Sequence, residues 1–186
     1  MSKNLIIILT KNPELGKGKS RLAETVGREN ALIVFKELIK HTVSITKNLD
    51  CDKWVLYSDY IGDNEYFEDS IYSKHLQEGI GLGERMRNAF VKATDDGFDK
   101  VMMIGSDCYL LTQNELEKGF KILDSNDFVF GPAEDGGYYL IGTTTTFTKV
   151  FDNKTWSTAT VLYEAIRDVE NADLTFGELA TLSDVD

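Results

Sequence analysis

The sequence contains few of the residues that build redox, zinc or nucleophilic centres. Its 186 residues include two cysteines, Cys51 and Cys108, and two histidines, His41 and His75. The cysteines form neither a CxxC pair nor a zinc-binding spacing, and the histidines have no HExxH context. We expect both cysteines to be reduced, with Cys108 a small buried residue rather than a nucleophile. Any metal site is expected to use carboxylate oxygens, which favours Mg²⁺ or Mn²⁺ over Zn²⁺.

Long apolar runs and positive charge are also scarce. No apolar run approaches the ~20 residues that a membrane helix needs, and the start MSKNLIIILT is too short in its apolar part for a signal peptide. The sequence therefore predicts a cytoplasmic protein with no membrane partner. A net charge of −11 argues against nucleic-acid binding. A small anionic ligand remains compatible with it, because such a ligand needs only a local basic loop or a bound cation.

Buried apolar runs alternate with helical patterns along the chain. Asn4–Thr10, 53–57 and Lys100–Gly105 are typical of strands buried on both faces, and a helical apolar pattern follows Gly27. This alternation predicts one α/β domain over residues 1–186, an α/β/α sandwich with a mainly parallel sheet. Ligands of such folds bind outside the carboxyl ends of the strands. Each predicted strand is followed there by a polar, acidic or glycine-bearing loop.

The loop after the first strand reads KNPELGKGKS. Its end resembles a Walker A motif, but Pro13 stands where that motif needs glycine, which excludes a P-loop NTPase. Lys19 and Arg21, together with Lys11 and Lys17, nevertheless concentrate positive charge just before a predicted helix. Backbone N–H groups and the helix dipole favour an anion such as a diphosphate at that point. The alternative is a solvated basic loop.

Two further loops combine glycine with charge. Asp107 comes directly after a buried strand, where its carboxylate could reach a metal ion that bridges nucleotide phosphates; the alternative is an ordinary strand-to-helix turn. The segment EGIGLGERM lacks the GxGxxG fingerprint of a dinucleotide site. Its glycines could let the backbone approach a ribose or base, and Arg85 could meet a phosphate, or the segment is a loop that leads into a helix.

Residues 131–142 read GPAEDGGYYLIG. Asp135 followed by Gly136 is a strong hairpin signal, but a turn does not need the second acidic residue, Glu134. A carboxylate here that faced Asp107 would complete an oxygen-only cation site, and either one could act as a general base. Because neighbouring strand residues alternate between faces, one of Tyr138 and Tyr139 is expected to pack inward while the other lines a pocket.

Taken together, these motifs resemble a known bacterial family. The segments that carry the resemblance, in chain order, are Pro13-x-x-Gly16-x-x-Lys19-Ser20-Arg21-Leu22, Gly83-Glu84-Arg85-Met86, Gly105-Ser106-Asp107-Cys108, GPAEDGGYYLIG and Trp156-Ser157-Thr158. They resemble the GT-A-type glycosyltransferase family with a largely uncharacterised domain, within the nucleotide-diphospho-sugar transferase superfamily. Some members are named for arsenosugar biosynthesis, and more distant relatives are guanylyltransferases of the molybdenum and deazaflavin cofactors.

The resemblance implies a Rossmann-like GT-A fold and a division of roles among the residues. Asp107 would hold the divalent cation, Mg²⁺ or Mn²⁺, with Asp135 in the acceptor or second-metal region and Glu134 beside it. The residues expected to bind the nucleotide are Gly16, Lys19, Ser20, Arg21, Gly83 and Arg85. The residues expected near the acceptor are Gly136, Gly137 and Tyr138.

Three functional hypotheses follow. The first is a metal-dependent glycosyltransferase that takes its donor from a nucleotide sugar and passes the sugar to a small-molecule acceptor. The second is a nucleotidyltransferase that uses a nucleoside triphosphate and releases pyrophosphate. The third is a non-catalytic nucleotide-binding module. Donor, base, acceptor, stereochemical outcome and oligomeric state are not specified by the sequence.

The sequence departs from the family pattern at two places. Tyr109 follows the Gly-Ser-Asp-Cys segment, where relatives usually have proline, so the turn that holds Asp107 is expected to differ. Relatives also often continue past an Asp-Val-Asp element, whereas this sequence ends with it at Asp186. We therefore expect a short tail or a truncated chain.

Overall fold

The computed structural model describes residues 3–61 and 66–185. Its seven strands are β1 (Asn4–Thr10), β2 (Asp52–Tyr57), β3 (Ser73–Leu76), β4 (Lys100–Gly105), β5 (Phe128–Pro132), β6 (Tyr138–Thr143) and β7 (Phe176–Glu178). Its five α-helices are α1 (Ser20–Val26), α2 (Arg28–Thr46), α3 (Leu82–Asp95), α4 (Gln113–Ile122) and α5 (Val161–Asn171). The predicted strands and helices are thus largely confirmed.

The strands form one sheet in the order β3-β2-β1-β4-β6-β5-β7. Neighbours run parallel except at β6, which is antiparallel to both β4 and β5. The α/β fold with a mainly parallel sheet is therefore confirmed. The strand order reverses direction at β1, since the chain builds outward from it to β2 and β3 and then returns to its other side with β4. Such a switch point leaves a crevice at the carboxyl ends of the central strands.

The sheet is buried on both faces, which explains the continuous apolar runs of β1 and β4. Along β1, Ile6 and Ile8 face the layer that contains α2 and α4, whereas Leu5 and Ile7 face the layer that contains α3 and α5. All four side chains have no exposed surface. Each such side chain contributes roughly 1.5–3 kcal/mol of transfer free energy. The central strands are therefore a rigid platform for the loops at their ends.

Two details of the secondary structure were not predicted from the sequence. The N-cap of α5 is Thr160, and Ser157 lies before the helix with a φ of 63°. The weakly patterned segment after α5 contains β7, which pairs with β5. Thr112 caps α4, since the Glu115 backbone N–H donates to the Thr112 hydroxyl over 3.2 Å. Within the described ranges, no helix is both long enough and apolar enough to cross a membrane.

Candidate active site

A cleft of about 900 Å³ opens at the carboxyl ends of the central strands. Its walls come from the loops after β1, β2 and β4, from the hairpin between β5 and β6, and from the start of α3. The parallel direction of β1, β2 and β4 is what brings these loops together, because all three strands end at the same edge of the sheet. The cleft therefore lies where the sequence predicts a ligand site.

Asp107 follows β4 and lines the cleft. A Cβ atom on Gly105 would lie 2.6 Å from the Asp107 Oδ1 atom, so the glycine gives the carboxylate room to fold back over the strand end. Ser106 shares a hydrogen bond of 3.0 Å with Thr10, which ties the ends of β4 and β1 together. The Asp107 side chain is 44% exposed and can be reached by a ligand.

Lys19 lies against Asp107. The Lys19 ammonium is 3.3 Å from the Asp107 Oδ2 atom and also donates to the backbone carbonyl of Val185. Lys19 is the N-cap residue of α1 and adopts a left-handed backbone conformation, with φ 48° and ψ 43°. This conformation is unfavourable for a residue with a side chain, and it turns a lysine that is only 7% exposed into the site. Ser20 and Arg21 line the same wall.

The hairpin residues 133–137 form the neighbouring wall, since β6 pairs with β4 at this end of the sheet. The Gly137 N–H donates to the Asp135 Oδ1 atom over 2.9 Å, and both residues line the cleft. Gly136 has a φ of 87°, and a Cβ atom there would lie 2.2 Å from the backbone oxygen of Ala159. The hairpin is therefore held closely against the segment that precedes α5, and its position allows Asp135 to face the β4 side of the cleft.

The two tyrosines of β6 pack on opposite faces of the sheet, and both also line the cleft. The Tyr139 hydroxyl donates to the carbonyl of Ala180 over 2.9 Å. The Tyr138 ring packs on Phe130, with 6.0 Å between ring centroids. Its hydroxyl is buried and has no hydrogen-bond partner in the described part of the chain. Burial raises the pKa of Tyr138 well above its usual value, so the hydroxyl stays protonated.

The segment after β7 brings a further acidic residue to the site. Leu182 donates its N–H to Pro132 over 3.0 Å, and Val185 donates its N–H to the Asp107 carbonyl over 3.1 Å. These bonds carry Asp184 into the cleft beside Asp107. Burial, and then the charges of Asp107 and Asp135, raise the pKa of Asp184 to about 6. The buried Asp184 Oδ1 atom has no hydrogen-bond partner among residues 3–61 and 66–185.

The carboxylates of Asp107 and Asp184 suit a cation whose remaining coordination positions are filled by water and by a bound ligand. Among the described residues, no group of three or more histidine, cysteine or acidic side chains is arranged to hold a metal ion by itself. Mg²⁺ does not need one, because it is usually bound by one or two carboxylates with the remaining positions on water and phosphate. An acceptor atom without a partner, and a carboxyl group destabilised as an anion by its neighbours, both favour a positive charge between Asp107 and Asp184. The residues present therefore fit Mg²⁺ or Mn²⁺.

The wall on the β2 side is built differently. Gln77 follows β3, and its side-chain N–H groups donate to the carbonyls of Leu56 and Thr10 over 2.9 and 3.1 Å. Its Oε1 atom accepts a hydrogen bond of 3.2 Å from Arg85. Arg85 also donates through Nε to the Gly79 carbonyl over 3.2 Å. Both Gln77 and Arg85 line the cleft, and neutral groups alone hold the guanidinium within the described residues.

Most of the predicted site residues lie in the cleft. Those that line it are Lys19, Ser20, Arg21, Arg85, Asp107, Asp135, Gly137 and Tyr138. Four others do not line it. Gly16 is exposed, Gly83 packs beneath Trp156, Gly136 packs against Ala159, and Glu134 is exposed while its N–H donates to Leu182.

Cys108 is buried, as expected. Burial and the neighbouring Asp184 carboxylate raise the pKa of its thiol to about 12. The residue is therefore a thiol at neutral pH, the form that is not nucleophilic. The following Tyr109 is exposed, and its ring lies 4.8 Å from that of His41.

Two cleft residues were missed from the sequence. Asp184 belongs to the Asp-Val-Asp element, which was not assigned a role in the site, and the β7 pairing that carries it into the cleft has too few apolar residues to be predicted. Asp186 lies outside the described residues. Gln77 gave no signal, because its role depends on carbonyls at the ends of two other strands.

Comparisons with known proteins agree with this fold. A crystal structure of a candidate nucleotide-diphospho-sugar transferase from Desulfovibrio desulfuricans G20 is 33% identical, with a TM-score of 0.92, and the match covers 100% of this chain and 83% of that one. A cytidylyltransferase from Leptospira borgpetersenii is 15% identical over 97% of this chain and 76% of its own, with a TM-score of 0.59. A manganese complex of Rv0371C from Mycobacterium tuberculosis H37Rv is 11% identical over 100% and 94%, with a TM-score of 0.60.

The last two likenesses concern the fold alone. A sequence search of curated proteins finds no match. A family model, described as an uncharacterized protein conserved in bacteria (DUF2064), matches residues 42–158. That segment is well over half of the chain and contains α3, β4, Asp107 and the hairpin at Asp135. The chain therefore belongs to the DUF2064 family.

Proposed function

We propose that this protein is a transferase that uses a nucleotide sugar as its donor and a divalent cation as its cofactor. The observation that carries the proposal is the meeting of Asp107, Asp184 and Lys19 at one end of the cleft, with Asp135 on the neighbouring hairpin. Such a set of charges is suited to a diphosphate and its cation. The Desulfovibrio relative, which carries the name of a nucleotide-diphospho-sugar transferase, supports this reading.

The residues that line the cleft have separate roles in this reaction. Lys19 and Arg21 hold the phosphate oxygens, and Asp107 with Asp184 holds the cation. Mg²⁺ or Mn²⁺, when bound, stabilises negative charge on the departing diphosphate. The acceptor hydroxyl forms a bond to the anomeric carbon, while the bond from that carbon to the diphosphate oxygen breaks and its electron pair leaves with the diphosphate. The Asp135 carboxylate lines the cleft and takes the proton of the hydroxyl.

The test is a panel of nucleotide sugars, incubated with the protein and Mg²⁺ or Mn²⁺ while release of nucleoside diphosphate is followed. We expect at least one donor to be hydrolysed slowly by water in place of the acceptor. The Asp107→Asn variant keeps the size of the side chain and removes its charge, so we expect its rate to fall by on the order of 10²-fold. The absence of hydrolysis across the panel, together with unchanged nucleotide binding by Asp107→Asn, would contradict the proposal.

Nucleotidyl transfer is a second candidate, because the basic wall contains a further lysine besides Lys19 and Arg21. Lys11 lines the cleft, so its ammonium could hold a third phosphate. In that reaction the acceptor's phosphate attacks the α-phosphorus of a nucleoside triphosphate, and pyrophosphate leaves. Measuring pyrophosphate release from each nucleoside triphosphate with a phosphorylated acceptor separates the two reactions.

A further inference from the structure

The β2 side of the cleft contains a positive charge that no carboxylate in the described part of the chain neutralises. Of the five N–H donors of a guanidinium, Arg85 uses one for the Gly79 carbonyl and one for the Gln77 Oε1 atom. Three remain without a partner among the described residues. In a protein with a net charge of −11, a guanidinium held only by neutral acceptors is available for a ligand.

The position of this guanidinium is fixed by Gln77. The amide of Gln77 has one possible orientation, because its NH₂ group faces two carbonyl oxygens and the reverse orientation would place a third oxygen against them. That orientation leaves the Oε1 atom directed at Arg85. The guanidinium plane is therefore set by a chain of hydrogen bonds that begins at the ends of β1 and β2.

The distance from the acidic residues suits a nucleoside. The Gln77 amide lies over the ends of β1 and β2, whereas Asp107 follows β4, on the other side of β1. One to two strand spacings, about 5–10 Å, separate these positions. If phosphates bind beside Lys19 and Asp107, a ribose fills this interval and the base reaches Arg85.

We infer that Arg85 selects a nucleobase that presents two adjacent acceptor atoms; this rests on the proposed nucleotide-dependent function. A guanidinium offers donors only, and it pairs in bidentate fashion with O6 and N7 of guanine. Cytosine offers the same chemistry through O2 and N3. Adenine places an amino donor beside N7, and uracil places an N–H donor between its two carbonyls. Each of these two bases therefore leaves a donor against the guanidinium.

The experiment measures the affinities of GDP, CDP, ADP and UDP for the protein by calorimetry in the presence of Mg²⁺ or Mn²⁺. We expect GDP or CDP to bind at least tenfold more tightly than both ADP and UDP, within the range that a bidentate arginine–base pair provides. A comparison of the affinities for GDP and CDP then shows whether Arg85 binds O6 and N7 of guanine or O2 and N3 of cytosine. Arg85→Lys keeps the positive charge but removes the planar pair of N–H donors, so we expect this preference to shrink to about threefold or less.

The matched control is Arg87→Lys. Arg87 lies on the same helix, pairs with Asp152 over 3.4 Å and lines a neighbouring cavity instead of the main cleft, so the preference should be unchanged. Differences of less than tenfold in the wild type, or a preference for ADP or UDP, would overturn the base selection and leave nucleotide binding intact. If none of the four binds, the proposed function fails and the base selection fails with it.

Discussion

The two ends of the cleft are built on opposite electrostatic principles. The acidic end, defined by Asp107, Asp135 and Asp184, brings together carboxylates whose charges disfavour one another. The arginine end, defined by Gln77 and Arg85, holds a cation with neutral acceptors. Each end is thus left with charge of one sign that its own residues do not fully balance. The complementary ligand is a phosphate-bound cation at the first and an acceptor-bearing base at the second.

The two ends also differ in how they are supported. The arginine end depends on hydrogen bonds to the ends of β1 and β2, which belong to the buried sheet. The acidic end depends on three segments that are distant in sequence: the strand end at Asp107, the hairpin at Asp135 and the segment after β7 that carries Asp184. The arginine end is therefore expected to be preformed, whereas the acidic end should respond more strongly to cation and pH.

The largest expected effect comes from comparing two carboxylates within the acidic end. Asp184→Asn removes a buried negative charge beside Asp107. We expect it to weaken cation-supported nucleotide binding by about 10- to 100-fold or more, because loss of even an outer-shell partner of a metal site has an effect of that size. Asp135→Asn keeps the bond from the Gly137 N–H, so we expect nucleotide binding within about threefold of wild type and loss of turnover instead. Calorimetry in Mn²⁺ and the hydrolysis assay give the two readouts.

The reverse result would reassign the roles. If Asp135→Asn abolished the cation effect while Asp184→Asn left it intact, the cation would lie between Asp107 and Asp135, which is the pairing predicted from the sequence. Thermal denaturation of both variants without cation is the control, since a folding defect would lower the melting temperature irrespective of Mn²⁺.

A smaller effect is expected from pH. The pKa of Asp184 is raised to about 6 by burial and by Asp107 and Asp135, so the protonated form is favoured below that pH, and a protonated carboxyl does not bind a cation. Cation-supported binding should therefore be about tenfold weaker at pH 5 than at pH 7. The sign is opposite for the cation-free protein. Because the folded-state pKa lies above the ordinary aspartate value of 3.8, this group's contribution to stability falls as the pH rises from about 4 to 6.

Calorimetric titrations at pH 5, 6 and 7 measure the dependence on pH. Asp184→Asn should remove most of it, whereas Arg85→Lys should leave it in place, because this substitution keeps the charge and lies at the other end of the cleft. A pH dependence that survives in Asp184→Asn would show that another group controls the acidic end.

What could be predicted from the sequence follows the same division between local and distant interactions. The buried strands, the alternation of helices and the carboxylate after β4 are local patterns, and they led to the correct fold and to a cleft that contains Asp107, Asp135 and Lys19. The seating of Gly136 against Ala159 and the entry of Asp184 depend on contacts between distant segments. The strand β7 has only three residues and little apolar periodicity, so the local sequence does not predict the entry of Asp184.

The most direct test of the central claim is the affinity of the wild-type protein for a nucleoside diphosphate with Mn²⁺ and with EDTA, repeated for Asp107→Asn. If phosphates and a cation meet at the acidic end, Mn²⁺ should tighten binding to the wild type by at least tenfold and leave Asp107→Asn nearly unchanged. Equal affinities with Mn²⁺ and EDTA in the wild type, or an undiminished Mn²⁺ effect in Asp107→Asn, would contradict the account.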